Sequence, residues 1–261
     1  MTAPLRLTFA IGLAGGLLGA LVGLGGGVVM IPLMIAVCGL SRHQAHATSL
    51  AAVIATGAAG TLPYLLQGRF DAHAAGLLTI TAMAFSWAGA RLAHRLKAQT
   101  LRRVFGVMVL TLAVLLLAKP WLLQQGTGSG HPLGWFGLGA LGALAGFFAG
   151  LMGVGGGGIM VPGMVLLAGL DQHTAQGTSL LVMVPAAIVG TWTHARAGLV
   201  ATGVLRGLLP GVLIGALLGG FGANLIPQDW LRWMFGLFMC WLGWRDLRPA
   251  PLTPPRLPEK T

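Results

Sequence analysis

Adjacent hydroxyl residues occur twice in this sequence, as Thr48 with Ser49 and Thr178 with Ser179, each pair downstream of a glycine run, Gly25, Gly26, Gly27 and Gly155, Gly156, Gly157. Hydroxyls can donate hydrogen bonds to the oxygens of a small anion. A glycine turn that feeds a helix leaves the N–H groups of the first turn open, with a dipole worth about half a positive charge behind them and no side chain in the way. The ten residues together make a candidate anion-binding site. The same residues also suit structural tasks. The glycines could simply permit a tight helix hairpin, and the hydroxyls could cap a helix or bond to a neighbouring one. A glycine cluster alone is a weak motif, so both readings stand at this point.

Three histidines, His43, His173 and His194, fall near segment boundaries and could accept a proton if transport is proton coupled. His43 and His173 repeat at the same spacing as the hydroxyl pairs, whereas His46 is matched by Gln176, so no two-histidine metal unit is preserved. His194 is matched by Tyr64. Cys38 and Cys240 lack metal-ligand spacing and read as free thiols. The acids Asp71, Asp171, Asp229, Asp246 and Glu259 all lie near segment ends or in the tail, which argues against a cation carrier or an intramembrane carboxylate relay. There is no paired-carboxylate arrangement and no GK[ST] phosphate loop. The expectation is a protein that is not an enzyme and that needs neither metal nor cofactor.

What must hold these residues in place is set by composition. Hydrophobic residues make up 56% of the chain and charged residues only 8%, against about 25% charged in soluble domains. A polar surface cannot be built from this, and lipid is the solvent that accepts it, with helices satisfying their own backbone groups. The formal charge of +11 lies between and after the apolar runs. It reads as an orientation signal for an anionic leaflet rather than as a nucleic-acid surface. Many of the 43 glycines fall four residues apart, as in Gly142, Gly146, Gly150 and Gly211, Gly215, Gly219, a spacing that lets membrane helices approach closely. The apolar run after Arg6 has no clear small-residue cleavage site and is expected to remain as the first helix.

No charge occurs between Leu7 and Ser41, or between His131 and Leu170. Either run as one straight helix would be roughly 50–60 Å long, and a hydrocarbon core is about 30 Å thick. Each must break, and the glycine runs are the natural breaks. Further apolar runs lie near 44–66, 73–92 and 102–118, then near 174–195, 199–223 and 230–245.

The halves repeat at an offset of 130 residues without a gap, with sixteen identities in the thirty-nine positions from Gly23 to Thr61, among them Pro32 with Pro162. Matched Pro, His, Thr and Ser are not what chance similarity between apolar stretches gives. The expected organisation is a first repeat over 1–125, a linker over 126–133, a second repeat over 134–248 and a proline-rich tail over 249–261. The cluster Arg91, Arg95, Lys97, Arg102, Arg103 faces a counterpart near Asn224 to Arg232 that holds one Asp and one Arg. By the positive-inside rule these equivalent loops lie on opposite sides. The fold class expected is therefore an all-α integral membrane protein of two inverted repeats, about five apolar segments each, with glycine-broken helices.

The segments GLGGGVVMIP (Gly23 to Pro32) and GVGGGGIMVP (Gly153 to Pro162), followed by AHATSL (Ala45 to Leu50) and AQGTSL (Ala175 to Leu180), resemble the sulfite exporter TauE/SafE family, related to the toluene sulfonate uptake permeases. The resemblance covers roughly Leu5 to Leu247. It implies a multi-pass protein of the bacterial inner membrane that carries sulfite, organosulfonates or related sulfur-containing anions. A secondary carrier is the main expectation; a passive anion channel and a membrane-embedded sulfur-relay protein or enzyme are the rivals. The partners expected are the small anion and the bilayer, with no nucleic acid, and association with further copies of the chain stays open.

Overall fold

A computed structural model describes residues 4–93, 98–122 and 134–248. The expected linker at 126–133, the proline-rich tail at 249–261, and Arg95 and Lys97 lie outside the described residues. Within them the chain is all-α, with ten helices. The first five are α1 (Leu5–Val22), α2 (Gly27–Cys38), α3 (Arg42–Leu66), α4 (Ala72–Leu92) and α5 (Ala98–Leu122). The second five are α6 (Gly134–Met152), α7 (Gly157–Leu167), α8 (Gln172–Arg196), α9 (Thr202–Leu225) and α10 (Gln228–Leu247). By length and apolar character α1, α3, α8 and α9 can each cross a membrane.

Both charge-free runs break where the glycines predict. Gly23 closes α1 in the left-handed region at φ 74°, its N–H bonded to the Gly19 carbonyl, and Gly26 opens α2 at φ 81°. Gly153 at φ 67° and Gly156 at φ 79° do the same between α6 and α7. A residue with a Cβ resists this backbone, which is why the break needs glycine. The long central helices begin on polar caps: Ser41 and Gln44 form a reciprocal capping box at α3, and the Asp171 carboxylate accepts from the Thr174 N–H at α8.

Close backbone contacts at small residues fix helix directions. A methyl placed on Gly16 would sit 2.4 Å from the Val212 carbonyl oxygen, and one on Gly219 would sit 2.1 Å from that of Leu17, so α1 and α9 run parallel with backbones touching. The same interface recurs between α4 and α6, where a methyl on Gly146 would meet the Ala82 oxygen at 2.3 Å and one on Gly150 the Ser86 oxygen at 2.0 Å. The two helices of each equivalent pair run the other way. Gly57 lies against Leu180 and Val184 while Gly190 lies against Leu50, making α3 and α8 antiparallel. Gly106 lies against Gly243 while Gly236 lies against Leu117, making α5 and α10 antiparallel.

These directions define two faces. On the near face α1, α3, α5 and α9 begin and α2, α4, α8 and α10 end; on the far face the senses are reversed. The hairpin α1–α2 enters from the near face and returns to it, its turn reaching Gln176 in the first turns of α8. The hairpin α6–α7 enters from the far face, its turn reaching His46 in the first turns of α3. Basic side chains follow the faces. Arg6, Arg42, Arg91, Arg103, Arg196, Arg206, Arg245 and Arg248 belong to helix ends of the near face, whereas Arg69 and Arg232 belong to the far one. At the ends of α4, α8 and α10, four arginines stack on the tryptophan one turn earlier: Arg91 on Trp87 (4.0 Å), Arg196 on Trp192 (3.8 Å), Arg245 on Trp241 (5.3 Å) and Arg248 on Trp244 (4.8 Å). Such pairs place an amphipathic ring and a charge at one level, as at a lipid interface.

Candidate functional site

The two glycine turns meet at the centre of the molecule. A methyl on Gly25 or on Gly155 would lie within 3.0–3.1 Å of both Val53 and Met183, which are themselves equivalent residues of α3 and α8. One on Gly27 would lie 2.5 Å from the Gly153 oxygen, and one on Gly157 would lie 2.2 Å from the Gly23 oxygen. Backbone packs on backbone here, and the contact closes the centre between the faces.

The hydroxyl pairs hold that contact together. Ser49 Oγ donates to the Gly153 carbonyl (3.0 Å) and Ser179 Oγ to the Gly23 carbonyl (3.4 Å), so each long helix is tied to the glycine turn of the other half. Thr48 Oγ1 accepts from the Ala201 N–H (3.0 Å) and Thr178 Oγ1 from the Asp71 N–H (2.9 Å), again across the halves. All four side chains are buried. In this conformation they form joints between the halves.

A cavity of about 330 Å³ opens on the near face, and its floor reaches both turns through Val28 and Val154. Ile31, Pro32, Ile35, Phe105 and Leu242 make its apolar sides, and none of the four hydroxyl residues is among its walls. The polar groups are Arg42, His43, His46, His194, Arg245 and Asp246. Two guanidinium groups against one carboxylate give this space a net positive character, and three imidazoles add polar ring nitrogens.

Each of these groups is positioned by the fold. Arg42, His43 and His46 occupy the first turns of α3, and His46 Nδ1 is hydrogen bonded to the Met152 carbonyl where α6 ends. His194, in the last turn of α8, bonds through Nε2 to the Gly150 carbonyl at 2.9 Å. Arg245, near the end of α10, donates from Nε and Nη2 to Asp246 Oδ1, both at 3.1 Å, and from Nη1 to the Val28 carbonyl at 3.5 Å. That last contact brings a guanidinium to the N-terminal turn of α2. Gly26 supplies no side-chain cap there, so the positive end of the α2 dipole adds to the arginine.

Of the three histidines singled out from sequence, His43 and His194 line this cavity. His173 lies on the far face, its Nε2 bonded to the carbonyls of Ala223 (3.2 Å) and Ile226 (3.1 Å), beside a shallow surface concavity that includes Arg69, Asp171 and Asn224. Sequence reasoning did not select Arg42, His46, Arg245 or Asp246. The signal for the first two was present, since Arg42 and His46 stand one helical turn apart and are replaced by Gln172 and Gln176 in the second half. Arg245 and Asp246 follow an apolar run and looked like an orientation signal and an end-of-segment acid; only packing shows that the Asp246 side chain is 4% exposed. Among the described residues no group of His, Cys, Asp and Glu is arranged to hold a metal ion. Cys38 and Cys240 are free thiols, neither of them in the cavity wall.

Comparison with known proteins places these features in a family context. The family model for the sulfite exporter TauE/SafE matches residues 7–245. Curated relatives include the "Probable membrane transporter protein YunE" of Bacillus subtilis (strain 168), 27% identical over 212 residues, covering 73% of this chain and 78% of the relative. The "Probable membrane transporter protein YdhB" of the same organism is 26% identical over 219 residues, covering 82% and 88%. A "Probable membrane transporter protein" of Xylella fastidiosa (strain 9a5c) is 26% identical over 197 residues, covering 74% and 71%. No solved structure matches the chain.

Proposed function

Because the chain belongs to the sulfite exporter TauE/SafE family, a family of multi-pass membrane transporters, we propose that it is a secondary carrier of small sulfur-containing anions, sulfite or organosulfonates. The observation that carries this reading is the convergence of Arg42, His43, His46, His194 and Arg245 on one apolar-walled cavity above the N-terminus of α2. Charge-assisted donors and a helix N-terminus suit the oxygens of a sulfur oxyanion, and the apolar walls suit the carbon part of a sulfonate. The glycine turns Gly25 to Gly27 and Gly155 to Gly157, with the Thr48, Ser49, Thr178 and Ser179 joints, form the barrier beneath the bound anion and become accessible to it as the halves move.

Antiparallel running of the equivalent helices α3 with α8 and α5 with α10 supports an inverted repeat. The closed central contact supports a carrier over a passive channel. The basic ends and the tryptophan–arginine stacks support a cytoplasmic near face in the bacterial inner membrane, with Arg6 and Arg248 inside. The first and second repeats then correspond to 1–125 and 134–248.

Thermal unfolding in detergent tests the ligand class. A bound anion stabilises by RT ln(1 + [L]/Kd), about 2.7 kcal/mol at a hundredfold excess over Kd. Sulfite, thiosulfate, taurine, p-toluenesulfonate and a set of carboxylates are screened, with choline as a cationic control. At least one sulfur oxyanion is expected to raise the melting temperature, and Arg42→Gln with His46→Gln to diminish that shift. Equal shifts in the wild type and the double variant would place the anion elsewhere.

A further inference from the structure

We propose that Gln172 and Gln176 are the anion-contacting side chains of the state open to the far face, taking there the places that Arg42 and His46 hold around the near-face cavity. The inference rests on the carrier reading above and deepens it by naming the second face's binding groups.

Three joints at the glycine turns and the long helices are duplicated. Ser49 bonds Gly153 and Ser179 bonds Gly23; Thr48 takes the Ala201 N–H and Thr178 that of Asp71. His194 bonds the Gly150 carbonyl at 2.9 Å, and its counterpart Tyr64 donates to the Ala20 carbonyl at 3.1 Å. At the offset of 130 residues all these pairs coincide. These joints are therefore the same when the halves are exchanged.

Exposure is not the same. Pro32, Arg42 and His43 are exposed and His46 half-buried, whereas Pro162, Gln172, His173 and Gln176 are all buried. The near face stands open and the far face is sealed. Exchanging the conformations of the halves opens a far-face cavity lined by Gly158, Val161, Pro162, Gln172, His173 and Gln176.

The sealed side holds an unspent hydrogen-bonding capacity. Gln172 is 0% exposed, and neither its Oε1 nor its Nε2 has a hydrogen-bond partner; Gln176, also 0% exposed, meets the Tyr64 hydroxyl at 3.1 Å with one end of its amide and has no partner at the other. A permanent seal is cheaper with leucine, because burying an unpaired amide is unfavourable. Two such amides, one turn apart on one face of α8, are explained if their N–H groups meet a ligand in another conformation. Their chemistry is specific: neutral donors that accept an oxyanion without adding charge. Arg42 binds by charge-assisted bonds, roughly twice as strong as neutral ones. The near face then captures the anion tightly and the far face releases it readily. In a carrier without a coupling ion, the ratio of maximal rate to KM must be equal in the two directions, so the weak face is also the fast one.

The test uses Gln172→Leu in right-side-out and inside-out membrane vesicles, with radiolabelled sulfite, thiosulfate and taurine as probes. The wild type is expected to show KM values differing at least fivefold between the vesicle types. Gln172→Leu should raise KM at least fivefold in the vesicles that show the higher value, leave the other unchanged, and melt no lower than the wild type. Saturable wild-type flux with unchanged KM in both vesicle types for the variant overturns the assignment alone, and so does an equal rise in both or a lower melting temperature. Absence of saturable wild-type flux for all three probes overturns the carrier reading and the assignment with it.

Discussion

Replacement of Gly26 by alanine is expected to lower the melting temperature sharply. Gly26 sits at φ 81°, where a side chain is strained, and a methyl there would lie 2.2 Å from the Gly15 carbonyl oxygen. The backbone strain costs about 1–2 kcal/mol, and overpacking against backbone adds about 1–3 kcal/mol. Neither can relax by a rotamer change, because the group it meets is main chain of α1. Stability of an ordinary domain is only about 5–15 kcal/mol, so valine, which needs still more room, should leave no monodisperse protein. Gly76→Ala and Gly222→Ala are the controls, since nothing lies within 4 Å of a methyl at either site. These should be neutral or raise the melting temperature, as alanine is favoured over glycine by about 1 kcal/mol in a helix. A Gly26→Ala protein with the wild-type melting temperature would show that the turn is not close-packed.

Loss of transport by Arg245→Gln is the second large effect. A hydrogen bond to a charged group is worth about 1.5–3 kcal/mol, so removing this guanidinium should weaken apparent affinity for the anion at least about tenfold. The change also takes two donors from Asp246, whose carboxylate would then add negative charge to the cavity. Arg245→Gln combined with Asp246→Asn separates the two consequences. If the arginine binds the anion, uptake in proteoliposomes stays impaired in the double variant. If it serves only to neutralise Asp246, the double variant regains wild-type KM, and the anion must be held by Arg42 and the histidines.

Much of the architecture is legible in the sequence because its causes are local. Glycine runs break helices wherever they fall in an apolar stretch, and the breaks at Gly23 to Gly26 and Gly153 to Gly156 lie where they were expected. The repeat offset of 130 residues extends to helices that share little identity: α5 begins at Ala98 and α10 at Gln228. What stayed hidden was tertiary. Thr48, Ser49, Thr178 and Ser179 have the right chemistry for an anion, but a hydroxyl beside a glycine turn is equally suited to that turn's carbonyls, and the turn it meets comes from the other half. Nothing local says which partner wins. The cavity was illegible for a related reason: Arg42, His46, His194 and Arg245 come from the ends of three helices far apart in sequence, and each alone looks like an interfacial group. The asymmetry between faces was written in Arg42 against Gln172 and His46 against Gln176, yet its meaning depends on seeing one pair open and the other buried.

Counterflow in proteoliposomes tests the central claim most directly. Vesicles loaded with unlabelled sulfite, thiosulfate or taurine at high concentration are diluted into a trace of the same labelled anion. A carrier that binds the anion in the near-face cavity and exposes it alternately to each side predicts a transient accumulation of label above equilibrium, saturable and abolished in the Arg42→Gln, Arg245→Gln protein. Label that only approaches equilibrium, at a rate linear in concentration and indifferent to the internal anion, would contradict it and assign the protein a channel mechanism.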